Sequence, residues 1–180
     1  MRHESQRLTL VHKVRTAQVT DMESIARIYN QGIEEGLKTA DTVAVSPENR
    51  IQWYESLSKS ASLVYVAVCH GDVVGYAFTS LYRYGRPAVG KTLEVSFYVD
   101  REFHRRGVAT SLLNALVERS TDASIEHLIA VVIDANAASK GILKKFGFQE
   151  WGRFPGVVEF GGMRYDHVYF GLILRKDLGQ

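Results

Sequence analysis

The stretch that decides the fold runs from Leu93 to Val117 and reads LEVSFYVDREFHRRGVATSLLNALV. Its first part, Leu93–Val99, has the composition of a strand, and its last part, Ser111–Val117, that of a helix. The turn between them, residues 104–110, is rich in small residues and contains Gly107. Such a turn leaves backbone N–H groups free beside the positive end of the helix dipole, an arrangement that suits a pyrophosphate.

The residues of the turn fit that interpretation but do not prove it. Arg105 and Arg106 add positive charge, and Gly107 permits a close approach or an unusual backbone angle. A solvated turn closed by a glycine would have the same composition, so the turn alone leaves both interpretations open. It is neither a P-loop, since no Gly-Lys-Ser/Thr follows, nor a Gly-x-Gly-x-x-Gly dinucleotide fingerprint.

Composition limits the classes of protein to consider. The 180 residues are enough for one domain with a sizeable core, with 46% hydrophobic and 23% charged residues. A formal net charge of +2 argues against nucleic acid or a membrane surface as the main partner. Cys69 is the only cysteine, so no internal disulfide can form, and a cytoplasmic location is expected.

The pattern of hydrophobic residues predicts one α/β domain with a mixed, mostly antiparallel sheet flanked by helices. Residues 1–9 are expected to form a flexible tail, and residues 10–180 the domain. Thr20 and Glu23 have the capping-box spacing that often starts a helix. Later segments predict strand–helix–strand–helix and a final hairpin around Gly161-Gly162, with strands at 157–160 and 165–174.

Two blocks resemble the GNAT acetyltransferase superfamily. The sequence His104-Arg105-Arg106-Gly107-Val108-Ala109 is similar to the family's Arg/Gln-x-x-Gly-x-Gly/Ala turn, with His104 as a departure at the first position. The segment Asn136-Ala137-Ala138-Ser139, followed by Gly147-Phe148, is similar to the family's Asn-x-x-Ser and Gly-Phe segment. The resemblance implies acetyl-CoA as co-substrate. The scattered histidines show no metal-ligand spacing, so no metal is expected.

Further segments resemble the phosphinothricin N-acetyltransferase group within that superfamily. They are Ile28-Tyr29-Asn30, Arg86-Pro87-Ala88, Thr92–Val99 and Gly161–Asp166. This resemblance implies N-acetylation of a small amino-acid-like amine, of the phosphinothricin or methionine sulfoximine type, by direct attack in a ternary complex. It also implies a homodimer.

Glu94 is the candidate catalytic base, because an alkylammonium must lose a proton before its nitrogen can attack a thioester. Strand alternation places Glu94 on one face with Thr92, Ser96 and Tyr98, and the intervening apolar residues on the other. From the strand pattern alone, a glutamate that faces solvent is the better interpretation. The resemblance reverses this preference, since a glutamate at this position acts as base in the family.

The resemblance also implies the residues that bind the two substrates. The cofactor-binding candidates are Phe97, Tyr98 and Val99, through backbone pairing with the pantetheine arm, and Arg105, Arg106, Gly107, Val108, Ala109, Thr110, Asn136 and Ser139. Arg86 is a candidate for holding a substrate carboxylate, since a guanidinium suits that task, although a solvated loop arginine fits equally well. Asn30, Thr39 and Thr42 lie in the region that often covers the acceptor in this fold.

Two departures from the family leave parts of the mechanism open. Leu143 stands where many members carry a tyrosine or histidine that can protonate the leaving thiolate, and Val89 stands where close relatives often have tyrosine. No general acid is therefore predicted. Acetylation of a protein N-terminus or lysine, and a non-catalytic acyl-CoA-binding regulator, are the alternative functions.

Overall fold

The computed structural model describes residues 12–58 and 62–174, so the predicted tail at residues 1–9 lies outside the described part of the chain. Seven strands form one sheet: β1 (Lys13–Thr16), β2 (Val64–Cys69), β3 (Asp72–Leu81), β4 (Thr92–Val99), β5 (His127–Ile133), β6 (Gln149–Phe160) and β7 (Met163–Ile173). Four helices accompany it: α1 (Met22–Glu35), α2 (Pro47–Ser58), α3 (Val108–Asp122) and α4 (Ala137–Lys145). The predicted α/β class is confirmed.

The strands lie in the order β1-β2-β3-β4-β5-β7-β6. All neighbouring pairs are antiparallel except β4 and β5, which are parallel and joined by the crossover helix α3. The mixed, mostly antiparallel sheet predicted from the sequence is therefore correct. A parallel pair needs such a crossover, whereas the antiparallel pairs β2–β3 and β6–β7 are joined by tight turns.

The helices cover both faces of the sheet, so each face has its own core. One core joins α3 and α4 to the sheet, with Leu112, Leu116 and Leu143 fully buried. The other joins α1 and α2 to the opposite face, with Ile25 and Tyr76 fully buried. Strand β4 contributes Leu93 and Val95 to the first core and Tyr98 to the second, as the predicted alternation requires.

The start of α1 differs from the sequence prediction. A short 3₁₀ turn, Val19–Asp21, precedes the helix, which begins at Met22, so Thr20 is not its N-cap. Asp21 takes the structural role instead, since its carboxylate accepts from the Gln18 backbone N–H at 2.7 Å and pairs with Arg15 at 2.7 Å. Asp21 is buried and held by both a hydrogen bond and an ion pair. These contacts outweigh the preference of the exposed Thr20 for the N-cap position.

Strand β6 is also longer than predicted, because it begins at Gln149 rather than near Val157. Its register against β7 shifts between Glu150 and Gly152 and again between Phe154 and Val158. The second shift spans Pro155 and Gly156, residues that break the alternation by which a strand is identified. The bulges therefore concealed the first half of the strand.

Gly75 allows helix α3 to approach the sheet closely. A Cβ at this position of β3 would lie 2.8 Å from Cγ1 of Val108 and 3.1 Å from the carbonyl oxygen of Tyr98. Val108 is the first residue of α3, so the missing side chain sets where that helix begins. Gly141 in α4 is the contrasting case, since a Cβ there would meet no atom within 4 Å.

We predict opposite stability changes for Gly75→Ala and Gly141→Ala. The first should lower the free energy of unfolding by about 1–3 kcal/mol, because a methyl group must be forced into a filled contact. The second should raise it by about 0.4–1 kcal/mol, because alanine restricts the unfolded chain at a helical position. Urea unfolding followed by circular dichroism measures both. Equal effects of the two variants would contradict the close contact at Gly75.

Candidate active site

The candidate site is built around a fork between the parallel strands β4 and β5. Their register joins Thr92, Leu93 and Glu94 to residues 127–129, and within the described chain it extends no further. Beyond this point β4 continues to Val99 beside β3, while β5 continues to Ile133 beside β7. The two strands separate, and a cleft opens inside the sheet immediately after Glu94.

The hydrogen bonds of β4 show which backbone groups face this cleft. The Tyr82 N–H donates to the Thr92 carbonyl, and the Asp100 N–H donates to the Val74 carbonyl. Because backbone groups alternate in an antiparallel pair, the even-numbered residues of β4 bond to β3 and the odd-numbered ones point toward β5. Phe97 and Val99 therefore present backbone N–H and C=O groups to the cleft, where an extended amide chain can pair with them.

A cavity of about 420 Å³ occupies the cleft. It brings together most of the predicted cofactor-binding residues: Phe97, Tyr98, Val99, Arg105, Gly107, Val108, Ala109, Thr110, Asn136 and Ser139. Arg106 is the predicted residue that does not line it. The Arg106 guanidinium instead lies over the ring of Phe103, 5.4 Å from its centroid.

The turn before α3 has the geometry expected of an anion site. Arg105 and Gly107 both adopt left-handed backbone angles, with φ of 60° and 84°. Gly107 is the N-cap of α3, and the first helical hydrogen bond runs from the Ser111 N–H to its carbonyl at 3.0 Å. The N–H groups of the first helical turn have no acceptor within the helix, so they are available to a ligand in the cavity.

Asp100 fixes the chain where β4 enters this turn. Its carboxylate accepts from the Glu102 N–H at 3.0 Å and forms an ion pair with Arg27 of α1. Burial acts to raise the pKa of Asp100, but Arg27 and the hydrogen bonds to the carboxylate outweigh it and hold that pKa below its usual value. The turn is thus tied to α1 on one side and to the sheet on the other.

The second predicted block forms the opposite wall of the cavity. Asn136 is buried and caps α4, with its Oδ1 accepting from the Ser139 N–H at 3.2 Å. Ile142 of the same helix lines the cavity, whereas Leu143 is fully buried in the core beneath it. In this chain position 143 therefore serves packing.

Glu94 is half-buried at the point where the strands part. Burial raises the pKa of its carboxyl group, and the nearby positive charge of Arg83 acts in the opposite direction. A carboxylate with a raised pKa is a better proton acceptor than an ordinary surface glutamate. Glu94 does not line the cavity just described; it lies where the pairing of β4 with β5 ends, on the strand face that carries Ser96 and Tyr98.

A second, shallower hollow is formed by Tyr82, Arg83, Tyr84 and Arg86. These residues follow β3, which pairs with β4 such that Ser80 lies opposite Glu94. Arg86 is exposed, and its neighbour Tyr84 is 90% exposed. Arg83 is near enough to act on the Glu94 carboxyl group, and Arg86 shares the hollow with Arg83.

The remaining predicted substrate residues lie in, or bond to, the connection between α1 and α2. The Asn30 side-chain amide donates to the Val45 carbonyl and accepts from its N–H, both at 2.9 Å. The Thr39 hydroxyl lies 2.9 Å from that of Tyr29, whose ring meets the ring of Tyr98 edge-on at 4.9 Å. Thr42 is exposed. Asn30 and Thr39 therefore hold this connection in place, and none of the three residues lines the cavity.

Sequence reasoning missed the α1 wall of the cavity. Ile28, Gln31, Gly32, Glu35 and Lys38 line it from this side. A Cβ at Gly32 would lie 3.7 Å from the Tyr98 ring, so this helix packs directly on the cavity wall. The helical periodicity of α1 marked its buried face, but no local pattern indicates that the end of this helix borders the cleft between β4 and β5.

Two further features of the described residues concern metals and membranes. No set of three His, Cys, Asp or Glu side chains in residues 12–58 and 62–174 is grouped in a way that could hold a metal ion. In the same residues, every helix is too short or too polar to span a bilayer.

Comparison with known proteins gives this geometry a family context. The sequence profile of the acetyltransferase (GNAT) family matches residues 28–148. A Bacillus subtilis (strain 168) protein, YwnH, provisionally named a phosphinothricin acetyltransferase, is 37% identical over 158 residues, covering 88% of this chain and 96% of its own. The L-methionine sulfoximine/L-methionine sulfone acetyltransferase of Pseudomonas aeruginosa PAO1 is 31% identical over 166 residues, covering 89% and 94%.

A solved structure shows the same fold. The phosphinothricin acetyltransferase of Sinorhizobium meliloti, crystallised in complex with acetyl-CoA, superposes with a TM-score of 0.88. It is 25% identical, and the match covers 94% of this chain and 91% of that one.

Proposed function

The chain belongs to the acetyltransferase (GNAT) family and is an N-acetyltransferase. From that premise we propose that it transfers the acetyl group of acetyl-CoA to the amine of a small amino-acid-like acceptor of the phosphinothricin or methionine sulfoximine type. We further propose direct attack within a ternary complex. The observation that carries the proposal is the fork between β4 and β5, where a half-buried carboxylate adjoins the open edge of a strand.

The cavity residues fit acetyl-CoA. The free N–H groups of the first turn of α3, together with Arg105, suit the pyrophosphate, which carries two negative charges. The cleft-facing N–H and C=O groups of Phe97 and the N–H of Val99 suit the amides of the pantetheine arm, since the Val99 carbonyl already lies 3.0 Å from Nε2 of His104, and the arm would then extend toward Glu94. Asn136 and Ser139 form the facing wall.

The proposed chemistry needs a proton acceptor for the ammonium and no covalent enzyme intermediate. Glu94 takes a proton from the acceptor ammonium, directly or through water, and the freed nitrogen attacks the thioester carbonyl carbon. An N–C bond forms, the C–S bond breaks and CoA leaves as its thiolate, while the nitrogen gives up its second proton to water or to the departing sulfur. A thiolate is a tolerable leaving group near neutral pH, so the absence of a proton donor at Leu143 does not prevent the reaction.

Arg86 is proposed to bind the carboxylate of the acceptor, with Arg83 beside it. Both residues follow β3 on the side of the fork where Glu94 lies, and a guanidinium matches a carboxylate in shape and charge. Asn30, Thr39 and Thr42 belong to the connection that would cover the acceptor. The similarity to methionine sulfoximine acetyltransferases supports an acceptor of this kind.

A homodimer is also proposed, and an exposed apolar surface on the β6–β7 hairpin supports it. Trp151, Phe154, Val157 and Met163 are 46–61% exposed there. Strand β6 lies at the edge of the sheet, where a second copy can cover these side chains.

A cytoplasmic location is proposed as well. The single cysteine, Cys69, is buried and forms no disulfide, which is consistent with a reducing compartment.

Replacement of the proposed base should abolish most of the turnover. We expect Glu94→Gln to lower kcat about 10²- to 10⁴-fold with methionine sulfoximine or phosphinothricin, because the amide cannot accept the proton. The apparent KM for acetyl-CoA should change little. Release of CoA thiol measures both constants, and Glu159→Gln on the exposed face of β6 is the control. Unchanged turnover in Glu94→Gln would remove Glu94 from the mechanism.

The pH profile gives the same assignment a second readout. Because burial raises the pKa of Glu94, the acidic limb of kcat/KM should lie above the ordinary glutamate value, and activity should fall as the pH drops through it.

If no amine in a panel of amino acids is acetylated although acetyl-CoA binds, the acceptor is macromolecular or the protein is a non-catalytic sensor.

Removal of the Arg86 side chain should weaken binding of the acceptor but not of acetyl-CoA. We expect Arg86→Ala to raise KM for the amino-acid acceptor about tenfold, the loss of one exposed charge-assisted contact, with KM for acetyl-CoA unchanged. The decarboxylated amine of the same acceptor is the matched control, because it has no carboxylate to lose. A KM that rises equally for both amines would show that Arg86 does not recognise the carboxylate.

The hairpin surface predicts the assembly state. We expect sedimentation velocity to give about twice the 20.2 kDa of one chain for the wild type. Phe154→Arg should shift the protein toward the monomer, whereas Val43→Arg, at an exposed apolar residue of the α1–α2 connection, should not. A monomeric wild type would contradict the proposed dimer.

A further inference from the structure

His104 is the residue of the pyrophosphate turn whose chemistry differs from that of its neighbours. It occupies the first position of the turn motif, and it is one of the residues that line the cavity. Its Nε2 lies 3.0 Å from the carbonyl oxygen of Val99, at the end of β4. The imidazole therefore links the cleft edge of the strand to the turn that precedes α3.

This contact fixes the tautomer of the ring. A carbonyl oxygen can only accept a hydrogen bond, so Nε2 must carry a proton and donate it. In neutral His104 the other nitrogen, Nδ1, is then an unprotonated acceptor whose lone pair repels a phosphate oxygen. In the imidazolium form, Nδ1 carries a proton and becomes a charged donor, which attracts one.

Four other titratable side chains line the cavity, and none of them is a histidine. The titratable side chains lining it, besides His104, are Glu35 and Lys38 on the α1 side, Tyr98 on β4 and Arg105 in the turn. Glu35 pairs with Arg101 at 3.7 Å, and burial raises the pKa of Tyr98 further above neutrality. Of these five, imidazole is the one with an ordinary pKa between 5 and 8.

We infer that His104 binds the pyrophosphate of acyl-CoA through Nδ1 only when it is protonated, so that affinity for the cofactor tightens as the pH falls. This inference rests on the proposed use of acetyl-CoA at this cavity and adds a titratable side chain to a site otherwise composed of backbone N–H groups and a permanent cation.

The test is the dissociation constant of 3′-dephospho-acetyl-CoA at pH 5.5 and pH 8.0, measured by calorimetry. This ligand lacks the 3′-phosphate, whose own titration near pH 6 would otherwise confuse the result. We expect the wild type to bind roughly three- to tenfold more tightly at pH 5.5, the size of one exposed charge-assisted contact. His104→Gln, whose amide can still donate to Val99, should bind equally at both pH values and match the wild type at pH 8.0.

His104→Arg supplies the complementary control, because its charge is permanent. It should bind at both pH values as tightly as the wild type does at pH 5.5, and circular dichroism at each pH shows that the variants are folded. An equal change with pH in the wild type and His104→Gln, or no change in the wild type, would overturn the inference and leave the proposed function intact. Absence of binding at any pH would instead reject the proposed function, and this inference with it.

Discussion

The separation of β4 from β5 after Glu94 is the constraint on which the rest of the site depends. Parallel strands normally satisfy each other's backbone groups along their length, and buried groups without a partner are costly. Here Phe97 and Val99 turn those groups toward a cleft, while β3 and β7 keep the outer edges of both strands paired. The fold therefore presents a strand edge inside a sheet, where an extended ligand can complete it.

Packing on both faces keeps this edge open. Gly75 lets the first turn of α3 rest directly on β3. The buried carboxylate of Asp100 ties the turn between β4 and α3 to Arg27 of α1. On the other face, Tyr29 links the α1–α2 connection to the Tyr98 ring. Helix α1 thus supports both regions, the turn before α3 through Arg27 and the α1–α2 connection through Tyr29.

The sequence was informative where local chemistry and structure coincide. Gly107, in a turn between a strand and a helix, indicated a close approach or an unusual backbone angle, and its φ is 84°. Alternation in β4 placed Glu94 and Tyr98 on one face. Sequence reasoning failed at the start of α1, where Asp21 displaced Thr20 through contacts with Gln18 and Arg15, three and six residues away, that the capping-box pattern does not consider. It failed also at Lys38, which borders the cavity without any local signal.

Charge and burial distinguish the proposed anion site from the region of the proposed base, Glu94. At the open end, Lys38, Arg105 and the first turn of α3 lie near solvent, where positive charge attracts a phosphate at little desolvation cost. At the last paired position of β4 and β5, Glu94 is partly removed from water, which raises its pKa, and Arg83 limits that rise. A buried base and an exposed anion site need opposite dielectric surroundings. A cleft that begins inside the sheet and ends at the surface supplies both along a single strand.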